Sequence, residues 1–376
     1  MEEEIRKKLT RAKRIVVKVG TSCLTYANGK LNLNYIERIV RELADLKNQS
    51  RDVLLVSSGA IGAGMGKLGL SKKPKTIPEK QAVAAVGQGM LIQVYEKLFA
   101  EYGHTAAQVL LTREDLINRQ RYINSRNTLT TLLKLGVIPV INENDTVAVE
   151  EIEFGDNDNL SALVASLVDA DLLVNLSDID GLYTSNPRVN PDAQLISCVE
   201  KISPDIQCLA EKTYTSLGTG GMETKLMAAK IAVNTGVSMI IASGQKPGII
   251  HEILDGKKVG TLFPPQPKAM HSRKRWIAFG PTIKGTIAID KGAKDAILRK
   301  GKSLLPSGIL QVEGNFERED IVSVIDEEGS EIARGLVNYS ANDLNKIKGV
   351  KTREIFELLG EKGESEAIHR DNLVIL

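Results

Sequence analysis

The chain has 376 residues, of which 42% are apolar and 26% charged, ordinary globular usage that excludes disorder and a fibrous repeat. Lys plus Arg number 49 and Asp plus Glu 47, a net charge of +2 that gives no global argument for nucleic acid or an anionic membrane as partner. At roughly 150 residues per domain, this length favours two domains. The chain opens on MEEEIRKKLTRAKR, which has no apolar core and three glutamates, so it reads as neither a secretory signal nor a mitochondrial presequence. No apolar run approaches the ~18 residues that span a bilayer. Cys23, Cys198 and Cys208 form no CxxC or zinc spacing, which suits a reducing cytoplasm.

Short apolar runs predict strands over 14–19, 52–57, 106–111, 137–141, 172–176 and 237–242. Between the first two, Leu33, Ile36, Ile39, Val40, Leu43 and Leu46 fall on one helical face. Further helices are predicted over 77–102, 121–135, 159–168 and 222–235. Strands with few polar interruptions, separated by helices, indicate an α/β fold: an αβα sandwich on a mostly parallel sheet. Ligands of such sheets bind at the carboxyl ends of the strands. The segment from Thr261 to Trp276 holds three prolines and the basic cluster Lys268, Arg273, Lys274 and Arg275, and reads as a boundary. Before it ends, residues 1–276 carry 35 basic and 30 acidic groups; residues 277–376 carry 14 and 17. The second piece is Gly-dotted and alternating, as expected for a small β domain. The expected division is therefore 1–262, a linker over 263–276, and 277–376.

Four strand ends carry unusual chemistry. The first, VVKVGTS, sets Lys18 inside a run of valines, where an ammonium needs a partner anion or water. An edge-strand lysine reaching solvent would explain it; so would a phosphate-binding lysine beside Gly20, Thr21 and Ser22. The second, VLLVSSGAIGAGMGKLG, contains a literal GxGxxG at Gly64, Gly66 and Gly69. In the dinucleotide fingerprint the first glycine follows the strand at once, whereas Gly64 lies well beyond Ser57 and Ser58, so the match is read as accidental. Ser58, Gly59 and Ala60 form instead a bare loop that a small polar ligand can approach.

The third end, GVIPVINENDTV, runs into EEIEFGDNDNLSALVASL, crowding Asn142, Glu143, Asn144, Asp145, Asp156, Asn157, Asp158 and Asn159 together. Asp158 or Asn159 suits a helix N-cap, but capping uses only one or two of the eight. A calcium loop needs a central glycine and a terminal glutamate that DNDNLSAL lacks. A site for an amino acid, with its ammonium and carboxylates, is more economical. The fourth end combines LLVNLSDIDGLYTSNP with SLGTGGMETKLMAAK, where Gly218, Gly220 and Gly221 precede a helix carrying Lys225. A flexible glycine loop is the plain reading; free N–H groups at a helix N-terminus with a lysine one turn on make an anion site. No GxxxxGK[ST] and no HRD…DFG set occurs, so neither a P-loop ATPase nor a protein kinase is indicated. Two lysines, two glycine loops and an acid–amide cluster suggest nucleotide phosphates facing a small substrate. A carboxylate acceptor, with a pKa of about 4.3, needs no general base, and His104, His251, His271 and His369 all lie away from the strand ends.

The strings VVKVGTS, SSGAIGAG, PVINENDTV, FGDNDNLSALVA, SDIDGLYTSNPR and GTGGMETKLMAA resemble the glutamate 5-kinases of the amino acid kinase family. The tail, with RKRWIAFG and GTIAIDKGA, resembles a PUA domain, a small mainly-β barrel. The resemblance runs from about Lys13 to the C-terminus. It implies transfer of the ATP γ-phosphoryl group to the γ-carboxylate of L-glutamate, the first step of proline synthesis, with inhibition by proline. It implies that Lys18 and Lys225 neutralise the transferred group and that Asp158 orients them. Ser58, Asp145 and Asn157 would bind glutamate. Lys18, Ser177, Asp178 and the run Thr219, Gly220, Gly221, Met222, Glu223, Thr224 and Lys225 would hold ATP. The family often has Thr-Asp where this chain has Ser177-Asp178, and either hydroxyl can donate. Mg2+ is expected on phosphate oxygens, with no protein ligand. Also implied are a homo-oligomer, dimer or tetramer, a functional link to glutamate-5-semialdehyde dehydrogenase, and a cytoplasmic location with no membrane partner. Related kinases act on N-acetylglutamate, aspartate, carbamate or UMP. A PUA tail could also bind RNA, which its net charge of −3 opposes.

Overall fold

The computed structural model describes residues 2–26, 28–148, 157–187, 189–211, 221–266, 277, 283–351, 354–359 and 364–375. Two compact units are present: Met1–Asp115 with Gln120–Ala269, and Met270–Leu376 with the short stretch Leu116–Arg119. In the first, β1 (Arg14–Val19), β2 (Asp52–Ser57), β3 (Ala106–Leu111), β4 (Ile138–Glu143), β5 (Leu172–Ser177), β6 (Ser238–Ser243) and β7 (Thr261–Phe263) make one sheet. Its order is β3-β4-β2-β1-β5-β6-β7. All neighbours are parallel except β6 and β7.

β1 therefore lies between β2 and β5, buried on both sides, and Lys18 is not an edge-strand residue. The chain leaves β1 toward β2 on one side and later leaves β5 toward β6 on the other. That reversal opens a crevice between the carboxyl ends of β1 and β5, where open α/β sheets take their ligands. Alternation along the strands decides what enters it. Ile15, Val17 and Val19 join Leu172, Val174 and Leu176 in a core with Ile36, Ile39, Val40, Tyr95 and Phe99. Lys18 and Asn175, paired in register on β1 and β5, take the other parity.

The helices follow from local signals. Asn32 caps the helix Leu33–Asn48 by accepting from the Tyr35 amide, and the buried stripe is Tyr35, Ile36, Ile39, Val40, Leu43 and Leu46. Leu33, expected on that face, is 56% exposed at the first helical position. Thr76 and Glu79 form a capping box for the 25-residue helix Ile77–Glu101, with proline in its first turn. The glycines of the accidental fingerprint serve packing. Gly64 and Gly66 lie inside the helix Ala60–Leu68, and Gly69 ends it at φ +68°. A Cβ on Gly64 would sit 1.9 Å from the Val83 carbonyl oxygen, and one on Gly87 would sit 1.8 Å from that of Ala60. Bare backbone is what lets these two helices touch.

The second unit is a five-stranded sheet of β8 (Gly285–Ile289), β9 (Ile309–Gly314), β10 (Ile321–Ile325), β11 (Glu331–Leu336) and β12 (Leu373–Ile375), in the order β12-β11-β10-β8-β9. Only β8 and β10 pair in parallel. Its core gathers Ile287, Ile289, Ile297, Phe316, Val322 and Val324 with Leu344 and Ile368. Of the expected linker, Phe263 instead ends β7, which pairs antiparallel with β6 and is buried, and residues 267–276 lie outside the described residues. No helix of the described residues is long and apolar enough to cross a membrane.

Candidate active site

The centre of the crevice is Asp158, whose carboxylate has no solvent exposure. It belongs to the helix Asn157–Leu167, which starts two residues earlier than the sequence pattern predicts. Neither Asp158 nor Asn159 is an N-cap; both lie inside the first turn. Asp158 Oδ1 meets Lys18 Nζ at 2.5 Å and accepts from Asn175 Nδ2 at 2.8 Å. Its Oδ2 accepts from Lys225 Nζ and from Thr224 Oγ1, each at 3.1 Å. Three nitrogen donors thus converge on the carboxylate, and the Thr224 hydroxyl, whose one hydrogen is shared with the Gly221 carbonyl at 2.8 Å, adds a further contact. Lys18 and Lys225 are themselves 4% and 5% exposed. Buried ion pairs lose much of their attraction to desolvation and are poor devices for stability alone. Two ammonium groups steered to one buried carboxylate are a device for holding positive charge in place.

Each member arrives from a different element. Lys18 comes from β1, Asn175 from β5, Asp158 from one helix N-terminus and Lys225 from the first turns of another, Met222–Asn234. Gly221 caps this last helix with no side-chain acceptor, leaving its first N–H groups for a ligand. Gly20 follows β1, and its Cα lies close enough to the ammonium that a Cβ there would touch Lys18 Nζ at an ordinary 3.7 Å. Ser177 ends β5 buried, donates to Asp178 Oδ1 at 3.1 Å, and its carbonyl accepts from the Gly244 amide at 2.8 Å. Asp178 and Glu223 are exposed, and Met222 is buried.

A second cluster adjoins the first through Asn157. Its Nδ2 donates to Ser58 Oγ at 2.9 Å, to the Ser57 carbonyl at 3.1 Å and to Asn142 Oδ1 at 2.8 Å. Asn142 Nδ2 in turn donates to Gln88 Oε1 at 2.7 Å. Ser57 Oγ lies 2.9 Å from the Tyr95 hydroxyl, whose ionisation burial pushes far up. Gly59, at φ +98°, turns the chain sharply after Ser58. Asp145 sits half-buried in the turn after β4.

The structure thus brings Lys18, Asp158 and Lys225 into contact, and Ser58 with Asn157. Asp156, Gly218, Thr219 and Gly220 lie outside the described residues. Three neighbours escape the sequence reading as site residues, Asn175, Gln88 and Tyr95, while a fourth, Asn142, belonged to the acid–amide cluster read as an amino-acid site. Asn175 had a signal, an amide in mid-strand one sheet position from Lys18. Asn142 was visible only as one of a crowd. Gln88 and Tyr95 sit in a long helix with no marked apolar stripe, and nothing in the sequence singles them out.

Comparison with known proteins agrees with this geometry. Residues 13–243 match the model of the amino acid kinase family, and residues 285–359 that of the PUA domain. The glutamate 5-kinase of Moorella thermoacetica is 55% identical over 375 residues, covering 100% of this chain and 99% of the relative. That of Thermoanaerobacter sp. (strain X514) is 57% identical over 363 residues, covering 96% and 98%. That of Pelobacter propionicus is 50% identical over 376 residues, covering all of both chains. An identity of one half along the whole length, through both units, places this chain among the glutamate 5-kinases of the amino acid kinase family, phosphotransferases that here carry a C-terminal PUA domain.

Proposed function

We propose that the protein transfers the γ-phosphoryl group of ATP to the γ-carboxylate of L-glutamate, releasing ADP and L-glutamyl 5-phosphate. The observation that carries this reading is the buried Asp158 with its two lysines. A carboxylate oxygen is already a nucleophile at neutral pH, so it attacks phosphorus with no proton to remove. What opposes the step is the approach of anions, and catalysis reduces to positioning and to charge stabilisation. Lys18, on one strand end, and Lys225, on the opposing helix, supply that charge. Asp158 holds both ammonium groups at fixed positions without serving as a base. The helix N-terminus at Gly221 and the strand end at Ser177 and Asp178 bind ATP, with Thr219, Gly220, Met222, Glu223 and Thr224 in the same run. Ser58, Asn157 and Asp145 bind glutamate.

The donor set fits magnesium carried on phosphate. No group of three ligating side chains occurs among the described residues, and the Asp158 oxygens are filled by protein donors. Mg2+ commonly keeps several waters and binds through substrate phosphates, so no protein ligand is assigned; when bound, it would neutralise phosphate charge. The same reading carries inhibition by proline, assembly into a homo-oligomer, a cytoplasmic setting, and delivery of the labile acyl phosphate to glutamate-5-semialdehyde dehydrogenase. It is supported by whole-length identity to proteins named glutamate 5-kinase.

The test is hydroxamate formation in hydroxylamine with ATP and Mg2+, comparing L-glutamate, N-acetylglutamate and L-aspartate, with and without proline. Product from L-glutamate alone, suppressed by proline, is expected. Product from N-acetylglutamate in preference to glutamate would transfer the assignment to another substrate of the same chemistry.

A further inference from the structure

The amide side of the crevice has a donor and acceptor sense fixed by the backbone. Asn157 Nδ2 lies 3.1 Å from the Ser57 carbonyl, which can only accept, so the nitrogen must face it. Asn142 Oδ1 lies 2.9 Å from the Glu143 backbone N–H, which can only donate, so the oxygen must face it. These two backbone groups set the rest of the chain of amides. Asn157 donates to Asn142, and Asn142 donates to Gln88 Oε1. Gln88, on the helix Ile77–Glu101, is therefore oriented with its oxygen spent and its NH2 group turned away from Asn142. That nitrogen makes no hydrogen bond to the described residues and is not among the buried polar atoms lacking a partner, so on this half-buried residue it retains contact with solvent. At the other end of the chain, the Asn157 nitrogen has three acceptors within reach for its two hydrogens and is fully used, leaving its oxygen as the acceptor it can show to a ligand.

We infer that Gln88 is a substrate-binding residue: its Nε2 donates to the carboxylate of the substrate that is not phosphorylated, while Asn157 Oδ1 accepts from the ammonium. This rests on the amino-acid substrate proposed above. The phosphorylated carboxylate must lie toward Lys18 and Lys225, which meet at Asp158. Asn157 is the adjacent residue of the same helix, so the amide chain is next to hold the far end of the substrate. That end carries one anion and one cation, and a site reading both needs one group that only donates and one that only accepts. Gln88 and Asn157, each with half its amide already used, supply that pair. A neutral donor also suits this place, since a cation there would compete with the two lysines for the orientation of a substrate bearing two carboxylates.

The experiment compares Gln88→Glu with Gln88→Leu, measuring KM for L-glutamate and for ATP in the hydroxamate assay, and the glutamate-induced rise in melting temperature. Glutamate at this position still accepts from Asn142 but faces the substrate with a negative charge. Leucine removes both functions and keeps the volume. Direct contact predicts that the Glu variant is the worse of the two, with KM for glutamate about tenfold or more above that of the Leu variant, a factor worth about 1.4 kcal/mol. KM for ATP should stay within about twofold in both, the nucleotide lying outside this contact. If Gln88 only positions Asn142, the order reverses, with Gln88→Glu near wild type and Gln88→Leu impaired; that result overturns the inference. Equal, wild-type KM values in both variants overturn it as well. Failure of the substrate reading appears separately, as a wild-type protein that forms no hydroxamate from L-glutamate, and the Gln88 contact falls with it.

Discussion

The two units of the chain use buried polar groups in opposite ways. Among the described residues, the β8–β12 unit buries only Ser323 and Asp326. Asp326 ties a local turn, accepting from the Ser330 and Glu328 amides and pairing with Lys294. The first unit gathers Lys18, Ser57, Asn142, Asn157, Asp158, Ser161, Asn175, Ser177 and Lys225 at or beside the carboxyl ends of parallel strands and the helix starts facing them, besides Arg6, Glu42, Ser166, Thr235, Ser238 and Thr261 buried elsewhere. Desolvating so many polar groups works against folding unless each is satisfied. A stability role does not account for the density, because apolar residues would fill the space at lower cost. The comparison locates the chemistry: polar groups bought into a core beyond what folding needs mark the site, and one that closes a turn does not.

Substitution at Lys225 tests this most severely. Lys225→Met should lower kcat by about 10²–10³, or about 3–4 kcal/mol of transition-state stabilisation, by analogy with loss of an oxyanion-hole donor. Asp158 keeps Lys18, Asn175 and Thr224 as donors, so the variant should remain folded. Steady-state kinetics beside a thermal melt separate the two effects. Turnover near that of the wild type would remove Lys225 from the chemical step and leave the buried cluster without a function.

What the sequence could and could not show divides along a physical line. β1, β2 and β3 match the predicted spans residue for residue, because β-branched and aliphatic runs bounded by glycine or polar residues need no tertiary help to be seen. β4, β5 and β6 end later than predicted, at Glu143, Ser177 and Ser243. Those last residues are polar and read as loop, yet the ladder carries them in the strand; Glu143 pairs with Leu111, and Ser177 with Ser243. β7 was hidden for the same reason: three residues before a proline pair become a strand only when β6 lies beside them. Lys18, Asp158 and Lys225 were legible because charge inside apolar patterning is conspicuous. Asn175, conspicuous as an amide in mid-strand, took its meaning from register, which sets it opposite Lys18. Gln88 depends on the packing of a helix against strand ends, which no local pattern encodes.

Glycine offers a second contrast, of smaller size. Gly64→Ala would drive a Cβ to 1.9 Å from the Val83 carbonyl, so one of two packed helices must move. Overpacking of this kind costs about 1–3 kcal/mol. Gly89 is also helical, but a Cβ there meets nothing within 4 Å, so Gly89→Ala should stabilise by about 0.5–1 kcal/mol. Denaturant unfolding of the two variants should move the midpoint in opposite directions. If Gly64→Ala instead left stability unchanged and impaired only nucleotide binding, the GxGxxG would have to be read as a ligand loop after all.

The smallest expected effect lies in the second unit and comes from Asp326. The Lys294 ammonium, then the Ser330 amide, hold its carboxyl below the usual value, and Asp326 raises the Lys294 ammonium in return. A carboxyl with a depressed folded-state pKa contributes stability above its unfolded value of about 3.9 and loses it as the pH falls through the lower, folded value. Asp326→Asn keeps an acceptor for the turn amides and removes only the charge. The β10–β11 turn should therefore open more readily than in the wild type at neutral pH, and the gap should close as the pH drops below about 4. Amide hydrogen exchange at Gly329 and Ser330, followed across that range, reads the local opening directly. Kinase turnover should not change, since the turn belongs to the unit that buries polarity for structure; a fall in turnover matching the loss of protection would show that the contrast between the two units is not a division of labour.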